Sequence, residues 1–187
     1  MTNITVDNIN QVNDQDWQIR PIESRDNVAV AEVIRSVSAE YGLTADKGYG
    51  VADPSLDDMA ATYAADGWQY WVIEHQGKVL GGAGIAPLSS SLTQTQSQTN
   101  TTGIAELQKM YFSKAIRGKK LALPMFEICQ QFAISQGYSQ LYLETTALLP
   151  EALNFYNQLG FKRCQHLGDT GHDACEVAMI LPLTVDK

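Results

Sequence analysis

Two β-prone apolar runs, Trp68–Glu74 and Val79–Leu88, stand only four residues apart, with His75-Gln76-Gly77-Lys78 between them. So short a connection leaves no room for a crossover, so the two runs must pair as an antiparallel hairpin. Downstream the pattern changes to strands separated by helices. Glu106–Phe112 reads as a strand, and Leu121, Met125, Ile128, Cys129, Phe132 and Ala133 then share one helical face that closes at Gly137. Leu141–Leu143 is a short buried strand, Pro150 opens a helix that Gly160 ends after Leu159, and Lys162–Leu167 and Cys175–Leu181 complete the strands. Upstream, Trp17–Ile22 alternates like a strand. Val28, Val30, Val33, Ile34 and Val37 recur at helical spacing from Asp26 to Gly42, and Asp53-Pro54-Ser55 caps a second helix running to Asp66-Gly67. The order β-α-α-β-β-β-α-β-α-β-β predicts an α/β fold, a mixed sheet with helices on both faces.

The 187 residues suit one domain. Residues 1–16, rich in Asn, Gln and Asp, read as a flexible polar leader before a single domain over 17–187. Ser89–Thr102 is a polar run in which only Leu92 is apolar, so it is expected to be either a functional loop or a solvated hairpin tip. A hydrophobic content of 44% excludes a wholly disordered chain. The net charge of -8 argues against nucleic acid or an anionic membrane as partner, since both need excess basic charge. Cys129, Cys164 and Cys175 form neither a disulfide framework nor a metal knuckle. With no apolar signal segment and no stretch long enough for a membrane span, the expectation is a soluble, cytoplasmic protein.

The basic charge is concentrated. Leu107–Phe126 contains Lys109, Lys114, Arg117, Lys119 and Lys120 and no acid, so it carries +5 while the rest of the chain carries -13. This stretch spans a strand–loop–helix junction with Gly118 in the turn, and backbone N–H groups at a helix start flanked by cations suit a diphosphate. No GxxxxGK[ST] string is present, and Gly81-Gly82-Ala83-Gly84 lies within a hairpin strand rather than at a strand-to-helix turn.

The run ELQKMYFSKAIRGKKLA (Glu106–Ala122), then YLET (Tyr142–Thr145) and ALNFYNQLGF (Ala152–Phe161), resembles the GNAT superfamily of acetyl-CoA-dependent N-acetyltransferases. The resemblance covers roughly residues 17–183 and implies a mixed, mostly antiparallel sheet of about seven strands. In the family's phosphate motif, Arg/Gln-x-x-Gly-x-Gly/Ala, Arg117 matches the first position and Ala122 the last. Lys120 stands in place of the first Gly, with Gly118 out of register. Pro124, four residues after Lys120, is expected to distort the first helical turn.

The resemblance implies acetyl-CoA as donor and no metal, with Arg117, Gly118, Lys119, Lys120, Leu121 and Ala122 around the diphosphate. Met110, Tyr111 and Phe112 lie along the pantetheine arm, with the Met110 N–H as oxyanion donor. Glu106 occupies the general base position, with Glu144 as the alternative, and burial would raise the Glu106 pKa toward neutrality. Tyr156 matches the proton donor to the thiolate and Asn154 a pantetheine contact; both also have plain packing or surface readings. Glu144 and His172 are the candidates for contacting the acceptor, and His172 with Cys175 lacks the further ligands of a zinc site. The expected reaction is acetyl transfer to the primary amine of a small-molecule or amino-acid-like acceptor by direct attack in a ternary complex. A peptide acetyltransferase and a non-catalytic CoA-binding module are the alternatives, and a homodimer is the candidate assembly.

Overall fold

A computed structural model describes residues 17–88, 103–168, 170 and 174–183. The expected leader at 1–16, the polar run at 89–102 and His172 lie outside the described residues. In chain order the elements are β1 (Trp17–Pro21), α1 (Asn27–Glu40), α2 (Met59–Thr62), β2 (Gln69–His75), β3 (Lys78–Pro87), β4 (Ile104–Phe112), α3 (Ala122–Ser135), β5 (Gln140–Thr145), α4 (Pro150–Gln158), β6 (Lys162–Arg163) and β7 (Val177–Pro182). The hairpin is present. The strands form one seven-stranded sheet ordered β1-β2-β3-β4-β5-β7-β6, parallel only between β4 and β5.

Pleating divides the core into two sides. Trp71, Ile73, Ala83, Ile85, Ala105, Leu107, Leu141 and Leu143 pack with α3 and α4. Tyr70 and Val72 pack on the other side with Val30, Ala31 and Ile34 of α1 and with Met59 of α2. Farther along that second side, Leu88, Ile104, Tyr142 and Ala178 make a separate cluster beneath Cys164 and Leu167. Glu106 and Glu144 share the pleat of Ile104 and Tyr142, so they project from the second side.

Four expectations need correction. Val28 is 71% exposed, because the buried stripe of α1 runs through Val30, Ala31, Ile34, Val37 and Ser38 and leaves Val28 round the back. The second helix is broken: a 3-10 segment, Pro54–Asp58, is followed by the four-residue α2, because Asp58 leaves the helical region (φ -141°, ψ 58°) and caps Ala61 N–H. β6 covers only Lys162–Arg163, and the chain then leaves the sheet so that Leu167 N–H donates to the Tyr142 hydroxyl at 3.1 Å. Pro124 does not break α3. It is the third helical residue, where its missing N–H has no helical acceptor, and Met125 N–H still reaches Leu121 O at 3.2 Å. The carbonyl four residues before it belongs to Lys120, which has turned away from helical geometry at φ +61°.

Candidate active site

The site begins with an irregularity in β4. Its register against β3 shifts between Gly82 and Gly84, so Lys109 and Met110 together face Ala83. Lys109 adopts φ +49°, which marks a bulge. The bulge resets the pleat: Met110 and Phe112 now pack with the α3/α4 side, whereas Tyr111 packs with the α1/α2 side. The Tyr70 hydroxyl donates to Lys109 O at 2.9 Å, and the Lys109 ammonium reaches Asp53 Oδ2 at 2.6 Å, holding the bulge from two directions.

The parallel ladder to β5 spans only Ile104–Glu106 against Gln140–Tyr142. Beyond it the strands separate, and two cavities occupy the opening. One is a cleft of about 1000 Å³ between the end of α1, the 116–123 segment and α4. The other is a smaller cavity of about 80 Å³ that includes Glu106, Gln108, Tyr49, Glu144 and Cys175. Met110, Leu149, Ala152 and Tyr156 line both, so Tyr156 stands where the two spaces meet.

Glu106 is 3% exposed, and burial pushes its carboxyl up to about 7. A hydrogen bond from Gln108 Nε2 to Glu106 Oε2 (2.7 Å) opposes that rise, and the charge of Glu144 adds to it. The Tyr63 hydroxyl in turn donates to Gln108 Oε1 at 2.7 Å, fixing the amide's orientation. Tyr63 can lie there because β3 has glycine beneath it: a Cβ on Gly84 would stand 2.6 Å from the Tyr63 ring, and one on Gly82 2.5 Å from the Tyr70 ring. No motif pointed to this Tyr63–Gln108–Glu106 chain, although the glycine-rich strand was its trace in the sequence.

Tyr156 is buried in α4, and burial raises its hydroxyl pKa. Arg117, Gly118, Lys120, Leu121 and Ala122 line the cleft with Met110 and Phe112, while Tyr111 borders the smaller cavity. Lys119 is exposed and does not line the cleft. Asn154 lies on the exposed face of α4 and lines neither cavity. Arg117 is already engaged: its guanidinium holds the Glu40 carboxylate in a two-pronged pair (2.7 and 2.8 Å) and donates to Phe112 O at 3.1 Å. Cys175 borders the smaller cavity with its thiol pushed up to about 12 by burial, which disfavours the nucleophilic thiolate. Among the described residues no group of three or more His, Cys, Asp or Glu is placed to hold a metal ion, and no helix is long and apolar enough to cross a membrane.

The 116–123 segment suits a CoA diphosphate. Gly118 sits at φ +76° with nothing within 4 Å of a would-be Cβ, and Lys120 is itself left-handed at φ +61°. Leu121 at the N-cap of α3 supplies no side-chain cap, so among the described residues no cap bond occupies the first N–H groups of the helix.

Comparison with known proteins agrees with this geometry. Residues 37–161 match the family model for the acetyltransferase (GNAT) family. Over 176 residues the chain is 48% identical to an Escherichia coli (strain K12) protein described as an uncharacterized N-acetyltransferase, YjgM; the match covers 94% of this chain and all of that one. Its fold is similar to that of a GNAT-family acetyltransferase from Staphylococcus aureus (TM-score 0.73, 18% identity, 90% of this chain and 99% of that one). It is also similar to Salmonella typhimurium yncA, solved with its cofactor acetyl-CoA (TM-score 0.66, 20% identity, 91% and 95%). The chain therefore belongs to the GNAT family and is an acetyltransferase.

Proposed function

We propose that this enzyme acetylates the primary amine of a small acceptor by direct attack within a ternary complex, with Glu106 as general base and Tyr156 as proton donor. The observation that carries this reading is a nearly fully buried carboxyl, raised to about 7, at the point where β4 and β5 part. Such a group takes a proton from an ammonium at neutral pH far better than a solvated glutamate does. When bound, acetyl-CoA supplies the activated acyl thioester.

The chain's own groups divide the remaining work. Gln108, held by Tyr63, orients Glu106. The backbone N–H of Met110 in the bulge serves the oxygen on which negative charge develops, a task worth about 2.7–4 kcal/mol for one preorganised donor. Tyr156, kept protonated by burial, returns a proton to the departing sulfur. Lys120, Gly118 and the first N–H groups of α3 hold the diphosphate with Leu121 and Ala122, and Arg117 supports that wall through Glu40 and Phe112. Met110, Tyr111 and Phe112 line the pantetheine path. The high Cys175 thiol pKa favours direct attack over an acyl-cysteine route.

The test is release of free thiol from acetyl-CoA in the presence of primary amines. Tyr156→Phe is expected to lower turnover several-fold while leaving the acetyl-CoA-induced rise in melting temperature intact. Unchanged turnover would remove Tyr156 as the acid, and no thermal shift with acetyl-CoA would overturn the cofactor assignment.

A further inference from the structure

A second carboxylate in the smaller cavity has no part in the mechanism above. The Glu144 side chain is 4% exposed, and three partners converge on it. The Tyr142 hydroxyl donates to Oε1, the Thr170 hydroxyl donates to Oε2 at 2.6 Å, and His166 Nδ1 lies 3.2 Å from Oε1. The carboxylate is thus fixed in place and borders the cavity that also holds Glu106, whose proton affinity its charge raises. Both side chains rise from the same face of the sheet, on strands that have just separated.

Positive charge in this cavity is already committed. Among the described residues lining it, the only Lys or Arg is Lys109, whose ammonium is 2.6 Å from Asp53. The His166 ring is half exposed and is not among the lining groups. An acceptor with a carboxylate would bring a third anion into a space with no spare cation, a desolvation cost without compensation. An acceptor with a second positive charge would find Glu144 waiting, two residues along the neighbouring strand from the partner of the base.

Resting on the acetyl-transfer reading, we propose that the acceptor is a small amine that carries a second cationic group and no carboxylate, and that Glu144 is the specificity residue that binds the second charge. Glu106 serves the reacting end and Glu144 the distal one. One ammonium proton leaves for Glu106, the N–acetyl bond forms as the thioester C–S bond breaks, the sulfur departs as the thiol with the Tyr156 proton, and the second proton lost by the nitrogen restores the Tyr156 phenol.

Matched pairs test this: putrescine against ornithine, cadaverine against lysine and agmatine against arginine, with butylamine as the singly charged reference and a lysine-containing peptide as competitor. All are followed by thiol release from acetyl-CoA. Each decarboxylated member is expected to exceed its amino acid by about 10-fold or more in kcat/KM. In Glu144→Gln, the KM for the preferred diamine should rise about 10-fold more than the KM for butylamine, with the loss in KM rather than kcat. Amino acids or the peptide used as well as the diamines would overturn the proposal, as would a Glu144→Gln variant that loses equally on both kinds of substrate. Turnover of none of the cationic amines would also overturn it, and the acetyl-CoA thermal shift read alongside tells whether the acetyltransferase reading falls too.

Discussion

At the level of single residues, burial turns an ordinary glutamate into a base suited to neutral pH. The shift of Glu106 from 4.5 to about 7 is also a statement about stability. Between those values the folded protein holds a proton that the unfolded chain has released, so stability falls as pH climbs through that window. The contribution is roughly 3 kcal/mol at full development. Glu106→Gln cannot ionise, so its melting temperature should gain on the wild type's as pH rises from the ordinary glutamate range to above 7. The same variant should lose the acidic limb of the rate profile. A melting difference that stays flat with pH would contradict the assignment. Lys120 makes the opposite trade: a side chain held at φ +61° costs conformational energy where glycine would not. Lys120→Gly should stabilise the fold by up to about 1 kcal/mol, read from urea midpoints, because the relieved strain outweighs the entropy of the added glycine. It should weaken acetyl-CoA binding several-fold, because a cation leaves the cleft.

At the level of elements, β1, β2 and the start of α1 are fastened by Arg20. Its guanidinium holds Asp26 through two bonds (2.7 and 2.8 Å) and Glu74 through two more (2.9 and 2.6 Å). Burial alone would raise the Asp26 pKa. The bonds from Arg20 and from Glu23 N–H outweigh it and hold the carboxyl below its ordinary range. That stability is therefore present above the ordinary carboxylate range and fades as pH falls through it. Asp26→Asn should cost about 3 kcal/mol by denaturant unfolding, the low end for breaking a buried pair, because Glu74 still compensates Arg20. A loss under about 1 kcal/mol would mean that Glu74 alone suffices. The element order was legible because hydrophobic period and cap residues act locally. The broken second helix and the two-residue β6 were not, because a partner distant in sequence takes part in each: Asn27 Oδ1, which accepts from Ala60 N–H at 2.9 Å, joins the Asp58 cap, and the Tyr142 hydroxyl accepts from Leu167 N–H.

At the level of the whole molecule, the basic block of Leu107–Phe126 is divided. Lys109 turns to Asp53 beside the smaller cavity, Arg117 is taken by Glu40, and Lys120 remains at the cleft with Lys119 exposed nearby. Acetyl-CoA binding should consequently show a modest salt dependence. Between about 0.05 and 0.5 M salt the Kd is expected to rise several-fold, and a Lys119→Ala/Lys120→Ala double variant should flatten that slope, as measured by calorimetry. Salt independence in the unsubstituted protein would place the diphosphate elsewhere.

The sequence by itself determined the order of strands and helices, the hairpin and the basic strand–loop–helix junction, and offered Glu106 and Tyr156 as candidates, since all of these rest on local periodicity, capping and motif spacing. Only the tertiary structure decided what surrounds them. The parting of β4 and β5 after three paired residues, the bulge that exchanges the faces taken by Met110 and Tyr111, and the hold of Tyr63 on the Gln108 amide beside Glu106 all arise from contacts between segments far apart in the chain. The physical reason is that burial and charge pairing depend on which side chains meet. Glu144 reads in the sequence as one acid near the end of a short strand, and becomes the second anion of a cavity only when β4 and β5 lie side by side.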